Sequence, residues 1–255
     1  QLLVLAEEGA KGTVVIEHAG VGDLAETVEI EAKDRSELTV VSVQEAERSA
    51  RHVSHQRIRV GRDAKVRHIV VTLGGDAVRI ATSSEFAGEG GDVELLGAYI
   101  TEGGEHHEHR LFVDHNPPNC VSRATYKGAL QGEDAHSVWI GDVLIRPTAK
   151  NTDTYELNRN LVLTKGGKAD SVPNLEIETG EIAGAGHASA TGRFDEEQLF
   201  YLRARGVPED VARRLVVRGF FAELVESIGV ESVQAKLMAA IERELDLAQA
   251  SRDAE

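Results

Sequence analysis

Short stretches in which hydrophobic and polar residues alternate recur along the first three quarters of the chain. Val28–Ala32, Arg57–Val60 and Val138–Ile145 alternate with a period of two, which is typical of half-buried strands. Amphipathic helical patterns are scarce before residue 194, which argues against a βαβ fold. The pattern therefore predicts an all-β region over residues 1–193. The clearest turn signals between its strands are Gly61–Ala64, Gly74–Asp76, Gly90–Asp92, Gly132–Asp134 and Gly166–Gly167.

A weak repeat recurs within this region. The segment Asp34–Val40 resembles Asp63–Ile69, Asp92–Leu96 follows after the same interval, and Asp134–Val138 repeats the theme after a different one. Each copy has a turn residue, a small residue and then a strand. Stacked coils of a solenoid need this order, because one coil cannot bury its apolar face alone. The repeat favours a β-solenoid, with a β-sandwich as the alternative.

Residues 194–255 have a helical pattern instead. Asp195 is a good N-cap for a helix over Glu196–Arg205, which Gly206 ends. Pro208 opens a second helix that ends at Gly229, and a third follows. The division predicted is thus a β-solenoid core (1–193) and a helical C-terminal subdomain (194–255). The apolar stripes predicted for the second and third helices are Val211, Leu215, Phe220, Leu224 and Ile228, and Val233, Leu237, Ile241 and Leu245.

The composition excludes several classes of protein. A chain of 255 residues with 41% hydrophobic content can bury a large core. Its 28 Lys and Arg against 43 Asp and Glu give a net charge of −15, which disfavours non-specific nucleic-acid binding. No apolar stretch approaches the roughly 20 residues that a membrane span needs. The single cysteine, Cys120, cannot form an internal disulfide, so we expect a cytoplasmic protein.

The densest group of potential metal ligands is Glu105–His109, followed by Asp114 and His115. Imidazole and carboxylate suit zinc or iron, but the spacing matches no standard zinc motif. In a strand, His107 and His109 would share one face and His106 would point the other way. We therefore favour a solvated loop that enters a strand over a structural metal site.

Two further segments carry reactive side chains. Catalytic thiols need a positive, partly exposed site, and a strand would separate Cys120 from His115 and Arg123, so a buried structural thiol is the preferred interpretation. The segment Gly186–Gly192 consists of small residues around the lone His187. That histidine is either a satisfied turn residue or lies where small neighbours let a partner approach closely.

Several segments resemble one known family. Asn174–Ile177, Gly186–Gly192 and Asp195–Gly206, with its Phe-Tyr-Leu-x-x-Arg-Gly run, resemble the SufB/SufD family of iron–sulfur cluster assembly proteins. The resemblance covers at least residues 112–228. Cys120-Val121-Ser122 with Tyr126-Lys127-Gly128 is also similar to the family's C-x-S…(F/Y)-K-G stretch, as is Ala149–Asp153 leading to Asn160–Leu163.

The resemblance implies a right-handed parallel β-helix followed by a small α-helical subdomain. The family's N-terminal helical region is absent from this chain, which begins at Gln1 and is expected to be a fragment. It implies a non-enzymatic scaffold. SufB and SufD pair through their β-helices, and each docks an ABC-type ATPase, SufC, through its helical region. ATP-driven closure of the ATPases is expected to open the site where the nascent cluster forms.

Within the family the chain resembles SufD more than SufB. No cysteine follows Cys120, and the glutamate that follows the histidine in SufB-like members is absent after His187. SufD members place a cysteine two residues before this histidine, where this chain has Ala185. The resemblance leaves His187 as the candidate ligand for transient iron or a nascent cluster at the partner interface, with no tightly bound cofactor. The candidate residues for ATPase docking are Phe200, Tyr201, Arg203, Arg205 and Gly206.

Alternatives stay open at this stage. A SufB-type scaffold is the nearest, and a β-solenoid enzyme that uses zinc at residues 106–109 or acts on polysaccharides is more remote. A self-associating solenoid that forms a homodimer in isolation is a third. For the helical region, Phe200 would be a core residue and the arginines solvated if no partner docks there.

Overall fold

The computed structural model describes residues 1–194 and 196–253, with side chains other than those of Glu196, Gln198, Asp210 and 244–253. These residues form fourteen strands followed by three helices. The strands are β1 Leu2–Ala6, β2 Lys11–Gly20, β3 Asp23–Ala32, β4 Glu37–Ala46, β5 Arg51–Val60, β6 Lys65–Thr72, β7 Ala77–Phe86, β8 Asp92–Thr101, β9 His106–His115, β10 Val121–Leu130, β11 His136–Ile145, β12 Asp153–Val162, β13 Lys168–Ile177 and β14 Gly184–Arg193. The helices are α1 Glu196–Ala204, α2 Glu209–Ile228 and α3 Glu231–Asp253.

Successive strands alternate between two seven-stranded parallel sheets. Sheet A holds the odd-numbered strands in the order β1 to β13, and sheet B holds the even-numbered strands from β2 to β14. Each coil contributes one strand to each sheet, so the chain is a parallel β-solenoid of about seven turns with a small helical region after it. The solenoid prediction is confirmed.

The coils lengthen along the chain. Leu2 pairs with Val28 in the first coil step, whereas Val121 pairs with Asp153 near the other end, and the second pair lies further apart in sequence than the first. Most strands keep the same length, so the corners absorb the difference.

The predicted repeat has the right character but the wrong phase. Glu37 pairs with Lys65 and Lys65 with Asp92, so both coils are shorter than the interval from Asp34 to Asp63 that the sequence suggests. Asp92 therefore lies in register with Lys65 and not with Asp63. The turn signals in the sequence drift because the corners differ in length, whereas hydrogen bonds fix the strands.

One corner of the solenoid forms a column of residues with left-handed backbone. Asn119 and Asn151 have φ angles of 62° and 57°, which asparagine tolerates better than most residues. The Asn151 side chain donates to Asn119 Oδ1 at 2.9 Å, and the Asn119 N–H donates to Lys150 O at 2.9 Å in the next coil. Each corner thus bonds to the one above it. The column comprises Gly9, Arg35, Asp63, Gly90, Asn119 and Asn151.

Aromatic rings interlock with glycines in the interior. Tyr126 pairs with Gly97, and Gly128 pairs with Tyr99, on the neighbouring strands β8 and β10. A Cβ at Gly97 would lie 2.0 Å from the Tyr126 ring, and one at Gly128 would lie 1.9 Å from the Tyr99 ring. Each ring occupies the space that the opposite glycine leaves, which explains the Tyr-Lys-Gly stretch in the sequence.

The helices cover the outer face of sheet B. Consecutive buried residues such as Val70 and Val71 occur in its central strands, because one faces the interior and the next faces the helices. Lys127 Nζ donates to Phe220 O at 3.0 Å and ties α2 to β10. The outer face of sheet A keeps the alternating pattern of a surface exposed to water. The hydrophobic core between sheet B and the helices combines Val41, Ile69, Leu96 and Ile100 with Phe221, Leu224, Val233, Leu237 and Ile241.

The predicted helix ends match the structure more closely than the predicted buried faces do. Gly206 and Gly229 have φ angles of 85° and 68°, as expected after a helix end. The predicted stripe of α2 is wrong in its first half, because Val211 and Leu215 are exposed. The buried side of α2 comprises Ala212, Val217, Phe221, Leu224, Val225 and Ile228.

The rest of the helical prediction divides between described and undescribed residues. The α3 stripe is confirmed for Val233, Leu237 and Ile241. The predicted N-cap Asp195 and the side chain of Leu245 lie outside the described residues. Over the part of the chain that the structure describes, no helix is both long enough and apolar enough to cross a bilayer.

Candidate functional sites at the two ends of the solenoid

His187 lies in β14, the edge strand of sheet B in the last coil, and its side chain is exposed. The interpretation as a turn histidine is wrong, because Gly186–Gly192 is strand. Its neighbours along the strand are small, so a second backbone can approach this edge closely. His187 pairs with Glu156 of β12, and register partners in parallel strands point to the same face.

Glu156 is buried next to this edge, and no hydrogen bond from the described residues offsets the cost of removing its carboxyl group from water. Only 2% of the residue is exposed, and neither carboxyl oxygen has a hydrogen-bond partner in the described structure. The indole N–H of Trp139 is also buried without a partner. Both side chains crowd Gly141, where a Cβ would lie 2.4 Å from the Trp139 ring and 2.7 Å from Glu156 Oε1. Burial, helped by the nearby charge of Asp142, raises the pKa of Glu156 to about 8.

The last coil therefore offers a metal-binding imidazole without a complete ligand set. His187 belongs to no group of three or more metal-ligating side chains among the described residues. Imidazole binds iron and zinc well, but one ring does not hold an ion tightly. Ligands from a second chain would have to complete a site at this edge.

The favoured solvated loop is wrong for residues 106–109, because His106–His115 is strand β9, which splits between the two faces of sheet A as the alternation predicts. His107, His109 and His115 are buried, and His106 and Glu108 face outward. Burial lowers the pKa of His107 and of His115 to about 4 and that of His109 to about 3, so these rings are neutral at pH 7. The segment forms no group of three metal ligands among the described residues. Each buried ring has a polar neighbour: His107 with Gly75 O at 3.2 Å, His109 with Thr72 Oγ1 at 3.0 Å and His115 with Ser122 Oγ at 2.8 Å.

Cys120 is a structural thiol. Its side chain is completely buried, and its Sγ lies 3.5 Å from Pro118 O and 3.6 Å from Gly88 O. Burial raises the pKa of the thiol, so little thiolate forms at neutral pH. This geometry agrees with the sequence-based preference for a buried thiol.

The candidate docking residues lie on α1 and in the turn that follows it. Phe200 is 74% exposed and Tyr201 is 56% exposed, so the alternative that places Phe200 in the core is wrong. The Arg205 guanidinium lies 4.7 Å from the centre of the Tyr201 ring, a cation–π contact. Arg203 Nη1 lies 3.0 Å from Glu209 Oε2 and thus joins α1 to the start of α2.

An open groove lies between the helices and the edge strand that carries His187. It lies between α1, α2 and the ends of β12 and β14, and it exposes more apolar than polar surface. The groove is lined among others by Arg159, Leu161, Gly192, Leu202, Leu215 and Phe220. Leu202 of α1 and the outer residues of α2 are therefore neighbours of this strand edge.

The structure also assembles a cluster that the sequence patterns did not reveal. Glu26 Oε1 lies 3.0 Å from His18 Nε2, 3.1 Å from His52 Nε2 and 2.9 Å from Ser54 Oγ. The hydrogen bond to Glu26 raises the pKa of His18. Burial on its own would raise the pKa of Glu26, but the bonds from the two histidines and Ser54 outweigh it and hold that pKa well below its usual range.

Comparisons with known proteins agree with the fold. The protein-family model for the SufBD core domain, which belongs to the SUF system of FeS cluster assembly, matches residues 1–220. An iron–sulfur cluster assembly SufBD family protein of Mycobacterium tuberculosis is 56% identical over 256 residues, which cover 98% of this chain and 64% of that protein. SufD of Escherichia coli is 29% identical over 76% of this chain and 45% of its own length. SufD of Bacillus subtilis is 34% identical over 47% of this chain and 27% of its own length.

The family match and the fold support each other. The matched range includes all fourteen strands, the first helix and half of the second. The chain spans about two thirds of the mycobacterial relative's length and less than half of each SufD protein's. Because the family model covers most of its length, this chain belongs to the SufBD family of the SUF iron–sulfur cluster assembly system.

Proposed function

We propose that this chain is the core of a SufD-type accessory subunit, a non-enzymatic cytoplasmic scaffold that pairs with a SufB-like subunit and docks a SufC-like ABC ATPase. Two relatives that bear the name SufD support the assignment. The described interior holds one cysteine, and its high pKa argues against a role as sulfur acceptor. This favours an accessory role over that of a SufB-type scaffold.

The strand edge at β14 is the proposed contact with the SufB-like subunit. It ends sheet B, and in the described residues no further strand pairs with it. A second strand can add to such an edge through backbone hydrogen bonds, and the small side chains on both sides of His187 do not obstruct it. The exposed His187 on this edge is the observation that carries the proposal.

Iron, or a nascent cluster, is the cargo proposed to meet His187. A neutral imidazole can hold Fe(II), and a site shared by two chains releases its ion when the interface opens. The single ring at this strand edge fits such a shared site, because a complete set of ligands would retain the metal.

The surface of α1 is the proposed ATPase-docking site. Exposed aromatic residues and arginine are enriched among the residues that dominate binding energy at protein interfaces. Phe200, Tyr201 and Arg205 present such a group. Gly206, with its positive φ angle, forms the turn after α1.

A substitution at His187 tests the cargo role. In a complex reconstituted with the SufB-like and ATPase subunits, H187A should lower the yield of assembled cluster several-fold while thermal unfolding of the chain changes little, because the ring is exposed. H55A, which removes another exposed histidine on β5, is the matched control and should leave the yield unchanged. Equal yields for H187A and the unmodified chain would remove His187 from the function.

Substitution of the exposed aromatic pair tests the docking role. F200S/Y201S should weaken ATPase binding at least tenfold in a pull-down titration, since hot-spot losses commonly exceed about 2 kcal/mol. V53S removes an exposed apolar side chain from sheet A and should not change binding. Unchanged ATPase binding by the double variant would contradict this docking surface. Cluster assembly by this chain without a SufB-like subunit would favour the SufB-type alternative.

A further inference from the structure

We propose that His18, Glu26 and His52 form a binding site for one divalent transition-metal ion of the zinc and iron(II) class, in the first coils of the solenoid. The proposal is independent of the SufD assignment and of His187. His18 lies in β2, Glu26 in β3 and His52 in β5, so three strands from both sheets bring the ligands together.

The ligand atoms have the separations of a coordination shell. All lie within 4.8 Å of one another, and Glu26 Oε1 is 3.0 Å from His18 Nε2 and 3.1 Å from His52 Nε2. Two ligands of a tetrahedral ion with bonds of about 2.0–2.2 Å are about 3.3–3.6 Å apart. Small shifts of the side chains therefore suffice to admit an ion.

The far side of the His18 ring is prepared for metal binding. Its Nδ1 lies 3.3 Å from Val43 O, a backbone carbonyl that accepts but cannot donate. A proton on Nδ1 satisfies this contact and leaves the lone pair of Nε2 directed at Glu26. Metal-bound histidines usually have such a carbonyl behind the ring, because it fixes the tautomer that coordinates.

Two lone-pair-bearing atoms that face each other need a cation between them. Between His18 Nε2 and Glu26 Oε1 that cation is either a second proton on the ring or a metal ion. His52 differs, because its Nδ1 is buried without a partner in the described structure, so a neutral ring can carry its proton on Nε2 and donate it to Glu26. A divalent ion would take the place of that proton and of the second proton on His18, and Ser54 would stay bonded to the carboxylate.

The donor set selects the type of ion. Two imidazoles and one carboxylate suit zinc and non-haem iron(II), whereas calcium and magnesium prefer oxygen ligands. His18 and Glu26 are 11% and 13% exposed in their side chains, so an ion can enter from solvent. Three protein ligands also leave a coordination position for water or a partner's ligand.

Metal titration of the full chain tests the site. The protein, stripped with a chelator, should bind about one equivalent of Co²⁺ with a visible absorption spectrum of nitrogen and oxygen ligands, and Zn²⁺ should displace it. E26Q keeps the side-chain shape and should weaken Co²⁺ and Zn²⁺ binding at least tenfold, as should H18Q. Circular dichroism and thermal unfolding verify that the variants fold.

A matched control distinguishes this site from the surface histidines. His106 Nδ1 lies 3.2 Å from His136 Nδ1 on the outer face of sheet A, and His136 bonds Asp170. H106Q should leave the cobalt spectrum and the affinity unchanged. Loss of binding in H106Q with retention in E26Q would overturn the proposal, as would the absence of stoichiometric binding by the unmodified chain. If the variants did not fold, an X-ray absorption spectrum of the zinc-loaded unmodified protein that lacked two imidazoles would overturn it.

Discussion

The two ends of the solenoid contain a carboxyl group and an imidazole in contrasting surroundings. In the first coils, three side chains hydrogen-bond to Glu26 Oε1 and lower its pKa. In the last coils, Glu156 is buried without a partner among the described residues, its pKa is raised to about 8, and His187 stands exposed beside it. At one end the chain itself supplies three hydrogen-bond partners for the carboxylate. At the other it leaves polar groups unsatisfied next to an open strand edge, where a partner can contribute.

The two carboxyl groups also affect the stability of the fold in opposite ways when the pH changes. A carboxyl group whose pKa falls on folding stabilises the protein above its ordinary pKa, and this contribution is lost as the pH falls. A carboxyl group whose pKa rises on folding does the reverse. The two ends should therefore respond to pH with opposite signs.

The largest expected effect concerns Glu156. Its pKa rises from 4.5 to about 8, so the folded state holds the proton more tightly and stability falls as the pH rises. Between pH 5 and pH 8 this group should cost about 3 kcal/mol. E156Q should remove this dependence. Urea unfolding of the unmodified protein and of E156Q at a series of pH values measures this dependence. If the free energies of unfolding of the two proteins changed with pH in parallel, folding would not raise the pKa of Glu156.

A smaller effect is expected at Gly141, which separates Trp139 from Glu156. The added methyl group in G141A would meet the Trp139 ring at 2.4 Å and should destabilise the fold by about 2 kcal/mol, as overpacking does. G192A on β14 meets nothing within 4 Å and serves as the control. Equal midpoints of denaturation for G141A and G192A would mean that the far end is loosely packed.

The smallest effect is expected at the satisfied end. E26Q keeps the shape of the side chain but replaces the charged carboxylate, whose Oε1 accepts three hydrogen bonds, by a neutral amide. At pH 7 it should lower the free energy of unfolding by about 1.5 kcal/mol. The loss should shrink as the pH falls from 5 towards 3, because the native carboxylate then loses its advantage over the unfolded chain. Between pH 7 and pH 5, protonation of His18 strengthens its bond to Glu26 and acts in the opposite direction. Chemical denaturation at pH 5 and pH 3 makes the comparison. A loss that grows from pH 5 to pH 3 would contradict the sign assigned to Glu26.

Local patterns were sufficient to predict the strands and corners. The alternation in Val138–Ile145 falls within β11, and Gly61–Ala64 forms the corner between β5 and β6. Alternation and turn residues are properties of consecutive residues, so one sequence contains them in full. The exposed and buried histidines of β9 follow from the same rule.

The face that α2 buries could not be predicted in this way. Val211 and Leu215 are as apolar as the residues that α2 does bury, yet they are exposed. The choice depends on how α2 lies against sheet B, where Lys127 bonds to Phe220 O. That contact joins residues 93 positions apart, so the pattern of apolar residues within α2 cannot predict it.

The ligands of the first-coil cluster share no motif. His18, Glu26 and His52 come together only because coils of unequal length stack in a particular register. An error of a single position in the coil length would turn one of these side chains to the opposite face. The constant interval predicted from the sequence was therefore too coarse to find the cluster.

The lengthening of the coils along the chain has a consequence for how such a protein changes over time. Because the corners take up the added residues, an insertion there leaves both seven-stranded ladders in register. An insertion inside a strand would instead exchange interior and surface along the rest of that strand. Corners are thus the places where this fold can gain or lose residues, and where a peptide tag or a binding loop can be grafted, without disturbing either end.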